Sequence, residues 1–129
     1  MRALVAAFGD AGHAFPAIAL GRALTERGHD VTVQTWERWR EPIEALGLAF
    51  AAAEEYRVFP PARPGEQAGA GEAALAMLPL LDRFGPDLVV SDILTLAPSL
   101  AAELRGVPRA TLIPHLHPVH ESGLPIFGV

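Results

Sequence analysis

Near the start of the chain, Ala3-Leu4-Val5-Ala6-Ala7-Phe8 is an unbroken apolar run closed by Gly9. A run with no polar alternation has to be covered on both sides, which is the condition of a strand in a parallel sheet flanked by helices. A parallel partner cannot follow through a tight turn; it needs a crossover. The next segment supplies one. After Pro16, the apolar residues Ala17, Leu20, Ala23 and Leu24 have helical spacing, with Pro in the first turn and Gly28 as the stop. Val31-Thr32-Val33-Gln34-Thr35-Trp36 is then a β-branched run that reads as the second strand. Strand, helix and strand in this order make a right-handed βαβ unit.

The pattern continues. Glu41 to Leu46 is a short helix closed by Gly47, and Ala49 to Ala52 a weak third strand. From Glu54 to Gly71 the residues Pro60, Pro61, Pro64, Gly65, Gly69 and Gly71 forbid a continuous regular element, so this is a surface loop. Helical spacing returns over Glu72 to Phe84, with Pro79 expected as a kink or stop. Asp87 to Asp92 is a fourth strand, Leu96 to Arg105 a helix ended by Gly106, and Arg109 to Pro114 a fifth strand. The alternation predicts an α/β fold, a Rossmann-like doubly wound parallel sheet with strand order 3-2-1-4-5. At 129 residues the chain makes one domain.

Composition removes several classes of function. Half of the residues are apolar, which excludes disorder. Ten Arg and no Lys face 15 acidic residues for a net charge of -5, so nucleic acid is not an expected partner. With no Cys there is no disulfide scaffold, thiolate metal site or Cys nucleophile. The short apolar opening is neither an export signal nor a membrane span, and a cytoplasmic domain is expected.

Open parallel sheets bind ligands beyond the carboxyl ends of their strands, where the strand order reverses. The predicted order makes the first and fourth strands neighbours, about 4.8 Å apart. The loop after the first carries Gly9-Asp10-Ala11-Gly12-His13, and the fourth ends in Ser91-Asp92. Topology therefore brings His13 and Asp92 together. A carboxylate on one ring nitrogen fixes the histidine tautomer and leaves the other nitrogen to take a proton from a substrate hydroxyl, whose oxygen is then the nucleophile. On spacing alone the plainer reading, in which His13 caps the helix or bonds to its own loop, is the more ordinary one. Asp92 likewise has a plain role as N-cap of the following helix. Asp10 is either a loop-stabilising residue or a second acidic neighbour of His13.

The stretch Gly12-His13-Ala14-Phe15-Pro16 through Leu24, with Arg27-Gly28-His29-Asp30-Val31-Thr32, resembles the amino-terminal signature of nucleotide-sugar-dependent GT-B glycosyltransferases. The family it is most similar to contains plant UDP-glycosyltransferases and bacterial natural-product and macrolide glycosyltransferases. Pro86 to Asp92 and Leu100 to Pro108 resemble later segments of the same family, so the likeness runs over most of residues 1 to 115. It implies that His13 is the base on the acceptor hydroxyl and Asp92 its partner, in an inverting displacement at the anomeric carbon that needs no metal and no cofactor beyond the nucleotide-sugar donor. It also implies that residues 1–129 are an acceptor-binding domain for a small lipophilic hydroxyl compound. The donor would sit on a carboxyl-terminal domain absent from this chain, which alone is expected to be inactive and, with that docking surface bare, to self-associate. Gly12, Phe15, Trp36, His115 and His117 are expected to shape the acceptor pocket. Two rivals remain: a lipid-linked N-acetylglucosaminyltransferase of cell-wall synthesis, and a non-catalytic binding or activator module of the same fold.

Two other constellations bear on metal and dinucleotide chemistry. His115, His117, His120 and Glu121 are zinc-type ligands, but Pro114 and Pro118 break the segment, so no helix aligns them and no metal is expected. A loop on the rim of His13, or a plain solvated loop, fits them better. Gly9-x-x-Gly12 lacks the remaining glycines of a dinucleotide fingerprint, and Glu37 is its one remaining match as a ribose-binding acid. Trp36 and Trp39 suit either stacking on an aromatic ligand or covering the core edge.

Overall fold

In the computed structural model, which describes residues 1–53 and 70–114, the opening apolar run forms the centre of the molecule. It becomes β1 (Arg2–Ala6), hydrogen-bonded on one side to β2 (Asp30–Trp36) and on the other to β4 (Leu88–Asp92). β3 (Ala49–Ala53) pairs with β2, and β5 (Arg109–Leu112) with β4. All four pairings are parallel, and the order is β3-β2-β1-β4-β5, the order the sequence predicts.

Because successive strand residues point to opposite faces, β1 feeds two cores. Ala3, Val5 and Ala7 pack with Ile18, Val31, Val33, Ile43 and Leu48 under α1 (Ala11–Glu26) and α2 (Arg40–Ala45). Leu4 packs with Met77, Leu81, Val89, Ala101 and Ala102 under α3 (Ala70–Phe84) and α4 (Leu96–Leu104). Leu4 and Val5 are both fully buried. Each such side chain contributes roughly 1.5–3 kcal/mol through apolar burial, and this double coverage is what an uninterrupted apolar strand demands.

The expectation for Pro16 is corrected, and of the two expectations for Pro79, a kink or a stop, the stop is overturned. α1 begins at Ala11, well before Pro16, which therefore lies inside the helix rather than at its start. The Asp10 carboxylate is the reason: it caps the helix by accepting the His13 N–H, and the carbonyl that Pro16 cannot bond belongs to the exposed Gly12. α3 likewise continues through Pro79 to Phe84, with Pro79 on its exposed side. Gly28 does end α1, at φ 83°, a left-handed backbone that suits glycine. Among the described residues, no helix is long and apolar enough to cross a membrane.

Candidate functional site

The register of β1 on β4 pairs Ala6 with Ser91, so the two strands finish side by side. Beyond that point the chain turns out of β1 through Phe8 and Gly9 and enters α1, whose third residue is His13. Asp92 closes β4. Its side chain is fully buried, and its two oxygens lie 2.9 Å (Oδ1) and 2.8 Å (Oδ2) from Nδ1 of His13. The Phe8 N–H donates to Oδ2 at 3.1 Å, and the Leu94 N–H reaches Oδ1 at 3.4 Å. A buried carboxylate is tolerable only with such donors around it. The His13 side chain is 12% exposed, so the ring is held in the protein yet reaches the surface. The Phe8 ring meets it edge-on, at 6.1 Å between centroids.

An ionised carboxylate accepts from Nδ1 only when Nδ1 carries the proton. The pairing therefore selects the tautomer whose lone pair is on Nε2, and it stabilises the imidazolium that forms when Nε2 is protonated. Asp10 is the helix cap rather than a second acid on the ring: its Oδ1 accepts the His13 backbone N–H at 3.2 Å. Asp92 does not cap α4. That position is Thr95, whose N–H and hydroxyl both donate to the Asp92 carbonyl, leaving the Asp92 side chain to His13.

Of the other residues singled out in the sequence, Gly12, Phe15, Trp36 and Glu37 are among the described residues. Gly12 is exposed, immediately before His13. Phe15 is 60% exposed and lies edge-on to Trp39, 5.1 Å between centroids. Trp36 is half-buried against Phe8 and fills the space above Gly9, where an added Cβ would come within 2.1 Å of its ring. His115, His117, His120 and Glu121 lie outside the described residues. Glu37 is engaged by Arg40, whose guanidinium bonds both of its carboxylate oxygens and holds its pKa below the usual carboxylate range.

Sequence reasoning missed a clamp on the first loop. Trp39 Nε1 donates to the Gly9 carbonyl at 2.7 Å, and Arg38 donates to the same oxygen through Nε at 3.1 Å and through its terminal nitrogen. The Arg38 guanidinium also lies over the Trp36 ring, 4.8 Å from its centroid. One carbonyl thus anchors the turn that leads into the His13 helix. The only sequence signal was Trp36-Glu37-Arg38-Trp39 directly after a strand.

A cleft of about 710 Å³ opens between α3 and the sheet. Its wall includes Ala6, Gln34, Met77 and Leu80, and it reaches the strand ends at Ala7 and Thr95; Gly12, His13, Phe15 and Trp36 are not among its lining residues.

Residues 3–111 match the model of the glycosyltransferase family 28 N-terminal domain. The chain is 34% identical over 125 residues to an L-demethylnoviosyl transferase of Streptomyces niveus, an alignment that covers 84% of this chain and 33% of the relative. Among solved structures it is similar to the glycosyltransferase SnogD of Streptomyces nogalater, with a TM-score of 0.68, 25% identity, and coverage of 87% of this chain and 35% of the other. It is also similar to the Streptomyces sp. SF2575 glycosyltransferase SsfS6 in complex with thymidine diphosphate, with a TM-score of 0.64, 28% identity, and coverage of 86% and 38%. The chain thus spans about a third of the length of the relatives it matches.

Proposed function

This chain belongs to the family of glycosyltransferase family 28 N-terminal domains, and from that premise we propose that it is the acceptor-binding, base-supplying part of an inverting glycosyltransferase acting on a small lipophilic hydroxyl compound. The observation that carries the reading is the contact of His13 Nδ1 with the buried Asp92 carboxylate. His13 accepts the acceptor's hydroxyl proton on Nε2 as the oxygen attacks the anomeric carbon of the donor sugar. The carbon–oxygen bond to the nucleoside diphosphate breaks on the opposite side, and configuration inverts. Asp92 keeps the ring in the right tautomer and balances the positive charge that develops on it. No protein nucleophile is needed, because the acceptor oxygen is the nucleophile.

The donor is a nucleoside-diphosphate sugar held by a second portion of the protein, a reading supported by the thymidine diphosphate complex of the similar SsfS6 and by the third of the relatives' length that this chain spans. Donor and acceptor then meet at the rim where β1 and β4 end. The test is His13→Ala, assayed with the donor-binding portion present. Turnover is expected to fall roughly 10²–10⁴-fold, the usual contribution of a general base, with nucleotide-sugar binding unchanged by calorimetry. Near-normal turnover removes His13 from the chemistry.

A further inference from the structure

Asp92 holds His13 at one ring nitrogen, and a ring fixed at one atom can still swing. A second brace comes from Phe8. Its N–H holds Asp92 Oδ2 at 3.1 Å, and its ring meets His13 edge-on. Phe8 in turn lies edge-on against Trp36, 4.7 Å between centroids. Trp36 comes this close to the turn only because residue 9 is glycine: a Cβ there would lie 2.1 Å from its ring. Arg38 closes the set. Its guanidinium lies 4.8 Å from the Trp36 ring centroid and 5.7 Å from that of Trp39, and it donates twice to the Gly9 carbonyl, to which Trp39 Nε1 also donates.

Arg38 differs from the other surface arginines around it. Arg22, Arg40, Arg105 and Arg109 are each bound to a carboxylate, whereas among the described residues Arg38 forms no ion pair. It directs its charge at a single backbone oxygen instead. A guanidinium donating two N–H groups bonds more strongly and in a more fixed direction than a neutral donor does. The oxygen it fixes belongs to the residue between Phe8 and the helix cap Asp10. A shift of this turn therefore displaces the Phe8 ring and the start of α1 together.

We propose that Arg38 is a positioning residue for His13, acting through the Gly9 carbonyl and the contact of Trp36 with Phe8. The inference rests on the reading of His13 as base, and it adds to that reading a residue that acts on the ring rather than on the substrate. A misplacement of about 1 Å in a reacting group can cost about 100-fold in rate, so a brace of this kind affects turnover without touching the acceptor.

The test pairs Arg38→Met, which keeps an apolar stem and removes the guanidinium, with Arg38→Lys, which keeps the charge but not the planar fork. With the donor-binding portion present, Arg38→Met is expected to lower kcat roughly 10–100-fold at an unchanged acceptor KM, and Arg38→Lys to recover part of the loss. Arg38→Met made in a His13→Ala background should cost nothing further, because residues that act as one unit do not add. In the 129-residue chain, the NMR signal of the Nδ1 proton shared with Asp92 should be sharp in the wild type and broadened by exchange in Arg38→Met. If Arg38→Met does not fold by circular dichroism, Trp39→Phe, which removes one donor from the same carbonyl and keeps a ring, carries the same expectations. Arg40→Met, which removes the neighbouring ion pairs with Glu37 and Glu44, should alter neither kcat nor the Nδ1 signal. An unchanged kcat, a raised KM with kcat retained, a full further loss in the His13→Ala background, or an Nδ1 signal as sharp as in the wild type would each overturn the assignment. Should His13→Ala itself leave turnover intact, the base reading falls, and the Nδ1 signal still decides whether Arg38 holds the ring.

Discussion

Asp92 has a buried carboxylate whose listeners are an imidazole nitrogen and two backbone amides, so replacing one oxygen by an amide group changes the logic of the site without changing its size. In Asp92→Asn the side chain can donate to Nδ1, which favours the opposite tautomer and removes the lone pair from Nε2. Turnover with the donor-binding portion present is expected to drop roughly 10²–10⁴-fold while far-UV circular dichroism stays unchanged. Unaltered turnover would mean that the carboxylate serves only the fold. Gly9 is constrained in a different way. Gly9→Ala drives a methyl to within 2.1 Å of the Trp36 ring, so the ring or the loop has to move. A loss of about 1–3 kcal/mol or more in urea unfolding is expected, and an unchanged midpoint would show that the loop relaxes freely. The pairing of His13 with Asp92 was legible in the sequence because topology alone brings two strand ends together. The convergence of Arg38 and Trp39 on the Gly9 carbonyl was not, because it depends on how three residues after β2 turn back, and no periodicity encodes that.

At the scale of elements, the end of α1 was read better than its start. Gly28 and Gly106 announced themselves as stops, whereas Pro16 drew attention away from Asp10, the residue whose carboxylate opens α1. Proline at the first helical turn is a frequent signal, but a side-chain acceptor three residues before an orphan N–H is the physical requirement, and Asp10 meets it. On the opposite layer, α3 and α4 are tied near their carboxyl ends by Arg105, which donates to both oxygens of Asp82 at 2.6 and 2.8 Å. That bond holds the Asp82 pKa below its ordinary 3.8. A carboxylate with a lowered folded-state pKa adds stability above its unfolded value, and that contribution disappears as pH falls through the folded one. Asp82→Asn is therefore expected to be slightly less stable than wild type at pH 6 and indistinguishable from it well below pH 3.8, the effect staying small because both side chains are exposed to screening. Thermal unfolding of the two proteins at both pH values checks it; a difference that persists in acid would assign the role of Asp82 to packing.

Across the whole molecule, the His13–Asp92 pair is attached to the part of the sheet that has least freedom to open. β1 is paired on both sides and covered on both faces, and β4 is paired with β1 and β5. β5, by contrast, has three of its four residues exposed, and β3 has no fully buried position. Local opening free energies scale with this kind of coverage, from nearly nothing at exposed edges to the global value in doubly covered strands. Amide hydrogen exchange should accordingly rank β1 and the β1-facing amides of β4 as the slowest, opening only with global unfolding, while amides of β5 and β3 exchange through smaller openings. Because Asp92 closes β4 and the Asp92 carboxylate accepts the Phe8 N–H as the chain leaves β1, the His13 pairing should share the slow class even though His13 itself lies at the surface end of a helix. Such a scaffold would keep the His13 ring aimed for the proposed proton transfer. If the β1 amides exchange as fast as those of β5, the two cores do not act as one cooperative unit, and the rigidity of the His13–Asp92 pair would need another source.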